Sequence, residues 1–173
     1  MAWIVDPEQS RVEFLARHLR VTEVRGRFQS FEGTLEMDED NPQASSVAGT
    51  VEVAGLKTGI SMRDSNLLGA GRFDAKRFAK MHFRSTQVGD FEGDTFKVYG
   101  DLTIKDITRP VVFDVVNRGE MPPKDGKRRW AFGASIVLNR KDFDIKWNSL
   151  MEAGGVFVGD EVKGELEIQF VLE

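Results

Sequence analysis

Eight stretches of this chain alternate apolar and polar residues with a period of two, and nowhere does it show the strand, long helix, strand spacing of a parallel sheet. Residues 10–19 put Val12, Phe14, Ala16 and His18 on one face and Arg11, Glu13, Leu15 and Arg17 on the other. The same pattern runs through 95–104 (Phe96, Val98, Gly100, Leu102, Ile104), 129–139 (Trp130, Phe132, Ala134, Ile136, Leu138) and 161–173 (Val162, Gly164, Leu166, Ile168, Phe170, Leu172). The remaining strands are expected at 25–37, 46–56, 81–88 and 109–120, with turns at 38–42 (DEDNP), 89–94 and 105–108 and a loop at 122–126 (PPKDG). The fold class expected is all-β, one domain over 1–173, closing as an eight-stranded antiparallel barrel or as a two-sheet sandwich.

One detail points to the barrel. Within 25–37 the apolar residues change parity, from Gly26 and Phe28 to Phe31, Gly33 and Leu35, which predicts a bend or bulge where a sheet curls. Two segments do not alternate. Residues 60–83 predict a short helical insert between the third and fourth strands, opening at Met62-Arg63-Asp64, continuing through Leu67-Leu68 and breaking at Gly69-Ala70-Gly71. Residues 141–159 form a long connection of the kind that serves as a lid or binding loop.

The inward faces mix very large residues with very small ones. Beside Phe14, Phe96, Trp130, Phe132 and Phe170 stand Ala16, Gly26, Gly49, Gly100, Ala134 and Gly164. An eight-stranded barrel is just wide enough to be filled by side chains or to hold one small ligand, and the large-to-small ratio decides between them. The glycines either mark corners of the sheet or leave an apolar cavity; their spread over six strands favours the cavity. Thirteen Phe and three Trp against a single Tyr supply aromatic surface almost without hydroxyls.

Other chemistry is thinly represented. A net charge of −4 gives no electrostatic footprint for nucleic acid, and no apolar run reaches the length of a membrane span. The first residues lack the basic and apolar regions of a secretory signal, so a cytoplasmic location is expected. Without cysteine there is no disulfide, thiolate nucleophile or Cys-ligated metal, and neither a metal site nor a cofactor is expected. His18 has inward parity and could act as an acid or base; His82 has outward parity. Arg63 beside Asp64 is the polar pair best placed to meet a ligand head group at a cavity rim, or else to pin the insert to its neighbours.

The residues Trp3-x-x-Asp6-Pro7-x-x-Ser10-x-Val12-x-Phe14, His18-Leu19, Val24-x-Gly26-x-Phe28 and Phe31-x-Gly33-x-Leu35 resemble the opening of the YceI-like polyisoprenoid-binding family. The likeness continues through Thr58-Gly59, Arg63-Asp64, Phe73-Asp74, Phe83-x-Ser85-Thr86, Gly100-Asp101-Leu102-Thr103-Ile104 and Arg140-x-Asp142-Phe143 to the last strand. Asn66 stands where the family often has His, and Ala79 where it often has Pro. The resemblance implies a lipocalin-like barrel that holds a long isoprenoid in an apolar tunnel and has no catalytic residues.

The expected function is thus non-catalytic binding, storage or transport of an amphiphilic isoprenoid of the quinone or polyprenyl phosphate type, its head near the insert. The expected lining is Phe14, Phe28, Phe83, Phe96, Trp130, Phe132 and Phe170, with His18 on the same face. Met62, Arg63, Leu67, Leu68 and Phe73 are expected at the gate. No nucleic acid, cofactor or stable membrane insertion is expected, and a homodimer would be unsurprising. The alternatives are an enzyme acting on an apolar lipid with His18 as acid/base, and a solid-core interaction module.

Overall fold

The computed structural model describes residues 2–18, 22–57, 59, 75–143 and 158–173, without the side chains of 17, 18, 22–24, 140 and 158–160. The described residues form one antiparallel sheet of eleven strands: β1 (Ala2–Val5), β2 (Arg11–His18), β3 (Thr22–Phe28), β4 (Phe31–Glu36), β5 (Ser46–Glu52), β6 (Leu56–Lys57), β7 (Lys80–Glu92), β8 (Thr95–Ile104), β9 (Ile107–Lys124), β10 (Lys127–Asn139) and β11 (Val158–Leu172). Pairing runs β1-β4-β5-β7-β8-β9-β10-β11 and returns to β1, which closes an eight-strand ring. Closure removes the unpaired sheet edge that an open sheet would present to other chains.

Eleven strands make eight barrel staves because three staves are each broken in two, the third being β5 and β6, interrupted at Val53–Gly55 and paired with β4 and β3. β1 and β2 are one stave interrupted at Pro7–Gln9, and both pair with β11, β1 at 170–172 and β2 at 158 and 162–167. β3 and β4 are the next stave, broken at Gln29 and Ser30, where the parity change within 25–37 predicted a bend. Beyond the bend the chain pairs as before, Val12 with Phe28 on one side and Ile4 with Thr34 on the other.

The first bend is held by a polar cluster outside the barrel. Asp6 caps the turn by accepting from the Glu8 amide at 3.1 Å, and its own amide donates to the Gln169 carbonyl at 2.8 Å. The Ser10 hydroxyl donates to the Asp6 carbonyl at 2.7 Å and accepts from the Gln169 amide at 3.0 Å. Arg129, only 6% exposed, completes the cluster at 2.5 Å from the Asp6 carboxylate and 3.1 Å from Gln169 Oε1. Burial by itself would raise the Asp6 carboxyl. The hydrogen bonds from Arg129 and Glu8, with the positive charge of Arg129 and Lys124, outweigh that and hold it below its ordinary value.

Two sequence expectations are corrected. Residues 122–126 are not a free loop: β9 runs to Lys124 and turns at Asp125-Gly126, both at positive φ. Pro122 and Pro123 fit because the ladder slips there, between the Lys127–Lys124 and Arg129–Met121 pairs, where no proline amide is needed. Trp3, whose segment was not expected as a strand, lies on β1 with 1% exposure, packed edge-on to Trp130 at 6.1 Å. The predicted helical insert falls mainly on 60–74, outside the described residues, as does 144–157 of the long connection.

Candidate ligand-binding tunnel

Alternation along the staves turns one face of each strand inward, and these faces surround two chambers rather than a filled core. The first, about 250 Å³, is bordered at the end of the barrel where Leu102, Ile104, Ile136 and Leu138 stand on β8 and β10. The second, about 490 Å³, lies toward Phe96, Trp130 and Phe132 at the other end of the same strands. Val47, Phe83, Phe113, Leu166, Ile168 and Phe170 border both, so the chambers meet at a waist. Phe83 and Phe113 pack edge to face there, their centroids 4.9 Å apart, and Phe132 meets Phe170 in the same way at 6.0 Å.

The small residues act in two different ways. A Cβ at Gly26 would fall 2.2 Å from the Phe14 ring, and one at Gly100 would fall 2.5 Å from the Phe83 ring. These two glycines are therefore seats on which rings from the neighbouring strand lie flat against the wall. Flattening the ring leaves the barrel axis open. Gly49 differs, because a Cβ there would meet nothing nearer than the Glu32 carbonyl oxygen at 3.3 Å, so its open side faces the first chamber. Of the four glycines among the six small positions, the reading as open space thus holds for Gly49 and not for Gly26, Gly100 or Gly164, where a Cβ would fall 2.8 Å from the Ile136 side chain.

The seven aromatic candidates all border the tunnel. Phe14 and Phe28 line the first chamber, Phe96, Trp130 and Phe132 the second, and Phe83 and Phe170 both. His18 pairs with Thr22 and Val158 as a strand residue, but its side chain lies outside the described residues. Met62, Arg63, Leu67, Leu68 and Phe73 lie outside them altogether. His82 is exposed, as its parity predicted.

Among the lining residues that the sequence reading did not single out as lining, three have a distinct role. Phe113 shares its parity with Val111 and Val115, a legible signal in the strand at 109–120. Phe143, 2% exposed, packs with Ile104 at the far end of the first chamber, on a turn (Arg140–Phe143) to which Arg109 Nε donates through the Asp142 carbonyl at 3.2 Å. Asn117 continues the inward series of Phe113 and Val115 and puts an amide into the second chamber. Its Oδ1 accepts from Trp130 Nε1 at 2.8 Å and from the Gly119 amide at 2.9 Å, across a bulge where Gly119 takes a φ of 91°.

The sequence matches the YceI-like domain over residues 3–170. The chain belongs to the YceI-like family. A UPF0312 protein of Staphylococcus aureus is 32% identical to this YceI-like chain over 166 residues, 95% of this chain and 94% of the relative. Among solved structures, BcnA of Burkholderia cenocepacia superposes with a TM-score of 0.82 at 22% identity, covering 95% of this chain and 98% of that one. A polyisoprenoid binding domain from Saccharophagus degradans superposes with a TM-score of 0.74 at 11% identity, covering 99% and 98%. At these identities the likeness is one of fold, a lipocalin-like closed barrel. Several residues that carry the YceI-like resemblance now have a physical role: Asp6 and Ser10 hold the bent first stave, Gly26 and Gly100 seat rings, and Phe143 packs at one end of the tunnel.

No metal-ligating cluster occurs among the described residues, and no described helix is long and apolar enough to cross a membrane.

Proposed function

We propose that this YceI-like protein binds a long isoprenoid, with the apolar tail in the tunnel, and acts as a cytoplasmic, non-catalytic carrier or store for it, as a monomer or homodimer. The observation that carries this reading is the pair of joined apolar chambers, lined by aromatic and branched side chains where a barrel of this size could instead be filled. The polyisoprenoid binding domain that shares the fold supports the choice of ligand class. Magnitudes agree with it. Burying a methylene contributes about 0.8 kcal/mol, so an apolar chain of about twenty-five carbons reaches the range where non-covalent affinity saturates, before the costs of ordering are subtracted. Such a ligand needs few polar contacts, which suits walls so poor in them.

Protein purified under native conditions, extracted with organic solvent and analysed by mass spectrometry, is expected to yield a prenyl lipid near one equivalent. Protein that carries no lipid and takes up neither prenyl quinone nor polyprenyl phosphate from micelles rules the reading out.

A further inference from the structure

The two chambers differ in chemistry. Side chains bordering the first among the described residues are apolar wherever alternation turns them inward, whereas the second holds the Asn117 amide and opens toward Asp38, Glu39, Ser45, Ser46 and Asp94. Both hydrogen bonds of the Asn117 side chain fall on Oδ1, so Nδ2 has no acceptor among the described residues. The rim is acidic and contains no Lys or Arg among the described residues. Arg128 reaches Glu39 at 3.0 Å but divides its charge with Glu120 at 2.8 Å, while among the described residues the Asp38 carboxylate accepts only from the backbone amides of Asp40 and Asn41.

We propose that the second chamber seats an uncharged head group carrying a carbonyl or hydroxyl oxygen, which accepts a hydrogen bond from Asn117 Nδ2. The acidic rim repels a phosphate or diphosphate, because like charges brought together across a partly desolvated mouth are strongly unfavourable. The tunnel then selects a prenyl quinone or prenol over the corresponding prenyl phosphate. The head lies at the end away from Leu138 and Phe143, and the tail passes the Phe83–Phe113 waist into the first chamber. This inference rests on the isoprenoid reading above and names its ligand class.

The test compares three ligands of equal prenyl length, a quinone, a phosphate and the headless hydrocarbon, loaded from micelles and counted by native mass spectrometry. Asn117→Asp suits it, because the carboxylate keeps an oxygen for Trp130 and Gly119 while replacing the amide donor by a second acceptor. Wild-type protein is expected to favour the quinone over the phosphate by about tenfold or more. The variant is expected to lose about tenfold for the quinone, the scale of one hydrogen bond, with the hydrocarbon unchanged. Equal loading of phosphate and quinone, or a variant that keeps its quinone affinity, overturns the proposal. So does a variant that loses the hydrocarbon as well, since Asn117 would then act only on the shape of the chamber. If the wild type takes up no hydrocarbon and no quinone, the isoprenoid reading itself falls.

Discussion

At the scale of single residues, Asp6 governs more than its exposed turn suggests. Its carboxylate is shared among the Glu8 amide and the buried guanidinium of Arg129, and removing it leaves that charge without its counter-ion. Asp6→Asn is expected to cost about 2–3 kcal/mol at pH 7, somewhat below the usual penalty for breaking a fully buried pair because Asp6 keeps some exposure. The pH dependence follows from the direction of the shift. The folded carboxyl titrates below the unfolded value of about 3.9, so its stabilisation is complete above that value and disappears as pH falls through the lower folded one. Urea midpoints measured from pH 7 to pH 2 should therefore fall less steeply at the acid end for Asp6→Asn than for the wild type. The pairing of Asp6 with Arg129, 123 positions apart, was not legible in the sequence. The motif Asp6-Pro7-x-x-Ser10 was visible, but alternation says only which face a residue takes, not which distant residue waits there.

At the scale of elements, each strand's contribution to the tunnel depends on what its cross-strand neighbour lacks. Phe14 lies between Gly26 on β3 and Gly164 on β11, and Phe83 pairs with Gly49 and stands over Gly100. The faces of these strands could be read from alternation, and so could the aromatic residues that border the chambers. Whether a glycine seats a ring or faces open space could not, because that depends on strand register. Gly49→Leu probes the second case. Its side chain would enter the first chamber with only a small adjustment at the Glu32 carbonyl, so the variant should fold with a melting temperature close to the wild type's while tail uptake falls at least tenfold. Unchanged uptake of prenyl quinone by a folded Gly49→Leu protein would place the tail elsewhere.

At the scale of the whole molecule, a closed sheet around two apolar chambers gives up packing that a core filled by side chains would supply. Among the described residues four clusters stand in place of one core, centred on Trp3 and Phe170, Phe14 and Leu56, Val88 and Val115, and Ile104 and Phe143, and linked through Val47, Phe132 and Met81. Ligand is expected to restore part of what is missing. At a free concentration about a hundredfold above Kd it adds about 2.7 kcal/mol, which for a chain of this length raises the melting temperature by about 5–10 °C. Calorimetry before and after solvent extraction, followed by reloading with prenyl quinone, measures this; equal melting temperatures in all three states would mean that the tunnel binds nothing.

The period-two pattern by itself determined that this chain forms antiparallel strands, which residues face inward, and that one stave must bend near Gln29 and Ser30. These follow from local backbone geometry, which every strand carries with it. Only the tertiary structure decided that eleven strands close into eight staves, that Asp6 meets Arg129, that Gly26 and Gly49 serve opposite purposes, and that Asn117 turns an amide into the second chamber. Each of these depends on register between strands distant in the chain, and register is settled when the barrel closes.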